Sequence, residues 1–256
     1  GGEDVDTLVL IPADGRNLDV DLDRGTVLDG QPGEQSFQSI ENVGTGAGDD
    51  TIKGSAADNH LNGDLGNDEL YGAGGDDEVV GGPGDDMLFG GLGNDVLRPG
   101  SGDDQTYAEA GDDRISIHDF SGTDLVDGGD GYDILVLDPT DDLNLDVDLS
   151  RGTILDRQEG LQTFRNFERV ITGAGDDLLR GDDHNNHLES GEGDDTLFGG
   201  DGDDFLGSGS GNDSINGEAG DDAISIYDFE STKIIDGGDG VDTLILFPPD
   251  FRDLDV

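Results

Sequence analysis

Between Thr45 and Ser116 an aliphatic side chain returns every nine residues: Ile52, Leu61, Leu70, Val79, Leu88, Leu97 and Ile115, with Thr106 holding one place in the series. Two places before each stands an acid or an amide, and glycines crowd the places before that. Gly81-Gly82-Pro83-Gly84-Asp85-Asp86-Met87-Leu88-Phe89 is one complete unit. A period of nine suits neither a helix, with its spacing of three and four, nor a half-buried strand, with its spacing of two. So regular a period predicts a solenoid. Glycine lets the first six residues of a unit take positive φ and turn. The last three form a minimal strand whose central side chain points inward. Two units make one coil, and coils stack in parallel at ~4.8 Å with the aliphatic residues in two facing layers.

Outside this block the rhythm changes and then repeats. Gly1–Val9 is one unit, with Asp6 and Leu8 in its sixth and eighth places. Asn17–Asp23 alternates apolar and acidic residues, which predicts a strand with one buried face. Arg24-Gly25 then turns the chain, Thr26-Val27-Leu28 returns as a paired strand, Gln31–Gln35 is a polar loop, and Phe37 and Ile40 dip into the core. After an eleven-residue connector, Ile117–Asp127, the whole series is copied: Leu18-Asp19-Val20-Asp21-Leu22 returns as Leu145-Asp146-Val147-Asp148-Leu149. The second block, Thr172–Ser225, has six units where the first has eight. A difference of eighteen residues is what whole coils of two units require. A second connector, Ile226–Asp236, follows. The modules are therefore 1–127, 128–236 and the start of a third at 237–256. The chain opens inside a repeat, without a secretory leader, and reads as a window on a longer array.

Composition sharpens this picture. Sixty-three acidic residues against twelve basic ones give a net charge of -51, with 46 glycines, 5% aromatic residues and no cysteine. Such charge beside modest hydrophobicity is usual in disordered chains. Disordered tails, however, do not hold Leu, Ile and Val in fixed register, so the chain reads as one that folds when cations neutralise it. The same surface repels nucleic acid and anionic membranes, and no run of ~18 apolar residues spans a bilayer.

Turns eighteen residues apart lie above one another in such a coil. Their carbonyls and sixth-place side chains form cages of hard oxygen ligands, which suit Ca²⁺ rather than Zn²⁺. The candidate side-chain ligands are Asp50, Asn59, Asp68, Asp77, Asp86, Asp95, Asp104 and Asp113 in the first block. Asp133 follows, then Asp177, Asn186, Asp195, Asp204, Asp213 and Asp222 in the second block, and Asp242. The candidate carbonyls are those of Gly46, Gly48, Gly66, Gly75, Gly82, Gly84, Gly91, Gly93, Gly102, Gly175, Gly193, Gly200, Gly202 and Gly211. Pairing turns eighteen apart within the blocks gives about ten ions, which bring the charge of -51 to about -31 at two charges each. Asn59 and Asn186 bring no charge, so their turns are expected to be weaker sites. Asp4, Ala57 and His184 stand where fourth glycines belong, and Pro99 and Ala108 where first glycines belong.

The glycine-rich nonapeptide with aspartate sixth is the known calcium-binding repeat of RTX proteins. At these residues the chain resembles the RTX (repeats-in-toxin, haemolysin-type) family. Ser39-Ile40-Glu41-Asn42-Val43 and Gly54-Ser55-Ala56-Ala57-Asp58-Asn59 are similar to segments leading into the roll of serralysin-type C-terminal domains. The resemblance implies an all-β fold, a right-handed parallel β-roll (β-solenoid) with Ca²⁺ between stacked turns, assembled outside the cell after type I secretion. Other signals dissolve on inspection. Asp19-x-Asp21-x-Asp23 lacks the glycine and glutamate of an EF-hand, having Arg24 and Gly30 there. His60, His184 and His187 form no HExxH and read as surface residues, and no acid pair or Ser/His/Asp set stands out from the acidic background. Phe120 and Phe229 read as core plugs of the connectors. No enzyme is expected. The expected role is a calcium-folded segment of a secreted or cell-surface adhesin or scaffold, whose partners are calcium, neighbouring modules and an unidentified extracellular ligand. The alternative is the accessory domain of a secreted protease or lipase.

Overall fold

In the computed structural model, residues 5–33, 35–139, 142–156 and 161–247 are described. All regular structure among them is β, with no helix. Two compact units result: one from Gly1–Leu135 with Gln162–Phe167, the other from Val136–Leu161 with Glu168–Val256.

The first unit shows how a nine-residue period becomes a coil. Strands Glu69–Gly74, Met87–Leu92 and Gln105–Ala110 pair in parallel, with Leu70, Leu88 and Thr106 in register. The intervening units form the opposite wall, where Glu78–Pro83 pairs with Val96–Ser101 and Val79 meets Leu97. Every partner is eighteen residues away, so the chain is a parallel β-solenoid. The eighth-place residues fill it: Ile52, Leu61, Leu70, Val79, Leu88, Leu97, Thr106 and Ile115 are all fully buried. A threonine among them leaves its hydroxyl without a partner, a cost offset by the neighbouring aliphatic residues that close the layer.

Strands are longer than the three residues expected from the sequence. Met87–Leu92 runs from the seventh place of one unit through the third place of the next, and Gly91 and Leu92 still pair with Ala73 and Gly74. The ladder persists around the corner because identical corners stack in identical register. At this corner the second place carries positive φ, even where it is not glycine: Asp64, Ala73, Glu109 and Glu218 lie between 73° and 80°.

The alternating segment forms the expected hairpin, Asp19–Asp21 antiparallel to Thr26–Leu28, and Asp19–Asp21 also joins Thr51–Lys53 in parallel. Gln35–Ser36, rather than continuing the polar loop, adds a third antiparallel strand at the edge of this sheet. Phe37 and Ile40 are only half-buried there, contrary to expectation, because an edge strand has no further coil to cover it. Phe164 and Phe167, which stand in the same place in the second copy, are buried, Phe164 in register with Val126. In the second unit, Leu145–Asp148 pairs antiparallel with Thr153–Asp156 and parallel with Leu178–Arg180, and the coils follow: Thr196–Asp201 beside Ser214–Ala219, Phe205–Ser208 beside Ala223–Ile226. Phe120 is buried as expected of a plug, whereas Phe229 is 45% exposed. The opening unit Gly1–Val9 is described only from Val5, and the third module only to Phe247.

Candidate metal centre

Stacking brings the sixth-place residues into files along the turns. In each file the backbone N–H of one turn donates to the carboxylate of the next. Asp50 donates to Asp68, Asp68 to Asp86, Asp86 to Asp104 and Asp104 to Asp124, over 2.7–3.0 Å. The opposite file runs Asn59, Asp77, Asp95, Asp113, Asp133 over 2.7–2.9 Å. The second unit repeats this with Asp177, Asp195 and Asp213, and with Asn186, Asp204, Asp222 and Asp242. Hairpin residues head two files, since the N–H of Leu18 reaches Asp50 and that of Leu145 reaches Asp177. All the candidate side chains are buried except Asp242, whose file has no further described coil.

The backbone N–H satisfies one carboxylate oxygen and leaves the other. Oδ2 of Asp50, Asp68, Asp77, Asp86, Asp95, Asp104, Asp113, Asp177, Asp195, Asp204 and Asp222 is buried without a partner. Buried oxygens are normally satisfied, so eleven orphans in rows call for a cation. Burial pushes the carboxyls of Asp77, Asp86, Asp113, Asp124, Asp195 and Asp204 up to about 7. It pushes those of Asp68, Asp104 and Asp177 up to about 6, and raises Asp50, Asp95 and Asp222 as well. Backbone hydrogen bonds oppose the rise and neighbouring acids mostly add to it.

First-place glycine makes room for this cage. A Cβ on Gly81 would lie 2.5 Å from Asp86 Oδ2 and 2.3 Å from the carbonyl of Pro99 in the next coil. Fourth-place glycines stack directly: a Cβ on Gly84, at φ 147°, would lie 1.7 Å from the carbonyl oxygen of Gly66. The same holds down the file for Gly102 under Gly84, and for Gly93 under Gly75. Gly48, Gly175, Gly193, Gly202 and Gly211 occupy fourth places, and Gly82, Gly91 and Gly200 second places, all with positive φ, whereas Gly46 holds the second place of its turn without it. The sixth-place carboxylate oxygen and the next coil's first-place carbonyl thus meet at the first-place glycine, both hard donors of the kind calcium takes. Gly81→Ala is expected to lower stability by roughly 2–3 kcal/mol and to lower calcium content, read by thermal melting and metal analysis. An unchanged melt would mean that the cradle is not filled.

The asparagine turns close differently. Asn59 accepts from the N–H of Ser55 and donates through Nδ2 to the carbonyl of Glu41, and Asn186 accepts from the N–H of Asp182. An amide can both donate and accept, so it satisfies its turn from within. Near Asn186 the half-buried Asp182 and the exposed Asp183 and His184 cluster with ligand atoms within 4.8 Å, the histidine paired to Asp183 at 2.9 Å.

Two functional residues lay outside the sequence set. Asp124 is a sixth-place acid within the first connector, and its signal is Gly122-x-Asp124-x-Val126, two residues out of phase. Lys233 stands at the same place in the second connector. Its ammonium donates to the carbonyls of Gly209 and Gly211, both at 2.8 Å, and to Asp213 Oδ2 at 2.5 Å. Fifth-place residues carry a further ladder, running the other way, in which Asn67 donates to Asp49, Asp85 to Asn67 and Asp103 to Asp85.

A solenoid of nonapeptide coils with rows of orphaned carboxylate oxygens in its turns defines a class of calcium-binding roll. The profile of the RTX calcium-binding nonapeptide repeat (4 copies) matches residues 44–79, 71–106, 80–115, 167–197 and 198–225, just over half of the chain. The chain belongs to this RTX calcium-binding repeat family. A search of curated proteins gave no match.

Proposed function

We propose that the chain is a calcium-folded structural segment of a large secreted or cell-surface protein of adhesin or scaffold type, with no catalytic role of its own. The observation that carries this reading is serial repetition of a complete assembly. Hairpin, roll and connector occur at Asp19–Leu28, 45–116 and 117–127, and again at Leu145–Asp156, 172–225 and 226–236. An accessory domain needs one such roll, whereas an extender gains from each added copy, since solenoid stability and length grow by repeats.

Calcium would be held by the sixth-place acids and the second- and fourth-place carbonyls, at about ten positions by the pairing of turns. The bound ion supplies the charge that lets buried carboxylates lie in file. Where calcium is scarce, as in a cytoplasm, the same carboxylates repel and keep the chain open for export by a type I route. Outside the cell, binding energy becomes folding energy. Reading the complete coding sequence on both sides of these residues tests the role. Further modules of the same kind are the expected result. A single protease or lipase domain beside this segment would instead make it an accessory calcium domain.

A further inference from the structure

We propose that Lys233 is a built-in cation: its ammonium takes the ion position of the Asp213 turn, so the second roll ends on a site that is closed without calcium. The inference rests on the calcium reading of the other turns.

The three protons of an ammonium can serve three acceptors, and here all three are ligands of one turn: the second-place carbonyl of Gly209, the fourth-place carbonyl of Gly211 and the sixth-place carboxylate of Asp213. The same three places, second and fourth carbonyl and sixth-place acid, recur in the acid-bearing turns of the roll. The Lys233 side chain is 8% exposed and that of Asp213 is fully buried. Eleven other sixth-place acids leave Oδ2 orphaned, and Asp213 does not.

The residue in the same place of the first copy makes the case. Leu125 pairs with Gln105, and Ile234 pairs with Ser214, so Asp124 stands to Asp104 as Lys233 stands to Asp213. In the first copy two carboxylates face the position, a charge of minus two that suits a divalent ion. In the second a single carboxylate meets a single ammonium. Replacing one acid by lysine therefore changes the site from calcium-requiring to self-neutralised, with charge matched in both states. Lysine suits the task because its compact charge sits on a flexible four-carbon stem that reaches back across one coil.

Two measurements on the whole chain test this. Calcium per chain, counted by elemental analysis after dialysis against dilute Ca²⁺, should rise by one in Lys233→Asp and fall by one in Asp124→Lys. An unchanged count in Lys233→Asp, with the roll still folded, overturns the proposal. A wild-type chain holding no calcium would overturn the calcium reading and this inference with it. The second measurement needs no variant. The chain has two lysines, and Lys53 is exposed. Labelling the calcium-loaded wild type with an amine-reactive ester should modify Lys53 at least ten times faster than Lys233. Equal rates would show that the ammonium is not caged, whatever the variants do.

Discussion

Removing calcium from the folded chain should abolish most of its β circular dichroism, and adding calcium back should restore it. The reason lies in the eleven orphaned carboxylate oxygens. An uncompensated buried charge costs several kcal/mol even after relaxation, and a domain of ordinary stability holds only about 5–15 kcal/mol in reserve. Two or three such charges are enough to exhaust that reserve. The aliphatic layers cannot compensate, because each coil contributes only two eighth-place side chains to them. The thermal midpoint should also climb with calcium concentration, since only the folded chain holds the ion. Magnesium should restore little, because it demands near-ideal octahedral geometry and gives up water reluctantly. A chain that keeps its β-signal and midpoint after exhaustive chelation would refute the idea that the ions hold this fold.

Legibility of the fold followed the strictness of the repeat. Eighth-place burial and eighteen-residue register can be read from Leu70, Leu88 and their neighbours, because the eighth place holds the one large aliphatic side chain that recurs in nearly every unit. The hairpin at Asp19–Leu28 was equally plain, since alternation with Leu18, Val20 and Leu22 admits one buried face. What stayed hidden depends on neighbours rather than on the unit. Phe37 and Phe164 stand in the same place of their copies, yet one is half-buried at an edge and the other buried beside Val126. Phe120 and Phe229 part in the same way.

The site was legible where it keeps phase. Asp124 escaped because the connector is two residues longer than a unit and shifts it from the nine-residue grid, although its turn stacks on that of Asp104. Lys233 escaped because a base in an acid's place looks like a broken repeat until its reach is seen. The fifth-place ladder was visible as the Asp-Asp and Asn-Asp doublets but was absorbed into general acidity. It ends where the N–H groups of Thr123 and Tyr132 donate to Asp103 and Asp112, since neither residue has a carboxylate to accept from a further turn. The ninth-place stack of Tyr71, Phe89 and Tyr107, with ring centroids 4.8 and 5.3 Å apart, shows the same eighteen-residue spacing on the outer wall.

Without calcium, the roll should be favoured by mild acid, the reverse of its behaviour with calcium. Nine sixth-place carboxyls sit at about 6 or 7 in the folded chain, from an ordinary value of 3.8, chiefly through burial. Between pH ~4 and ~7 the folded state therefore binds more protons than the unfolded one, so stability falls as pH rises. The contribution is fully present below the unfolded value and is lost as pH passes 6 to 7. A calcium-stripped chain taken from pH 8 to pH 5.5 should accordingly regain β-signal by circular dichroism, or at least gain thermal midpoint. The calcium-loaded chain should lose stability over the same interval, because protons compete with the ion for Oδ2. Falling net charge also relieves repulsion on acidification, so Asp86→Asn with Asp204→Asn separates the two causes. It removes two charges of 51 but two of the nine displaced carboxyls, and should flatten the ion-free profile by about a fifth. An ion-free chain that is less ordered at pH 5.5 than at pH 8 would mean that these carboxylates are not buried together as the turns place them.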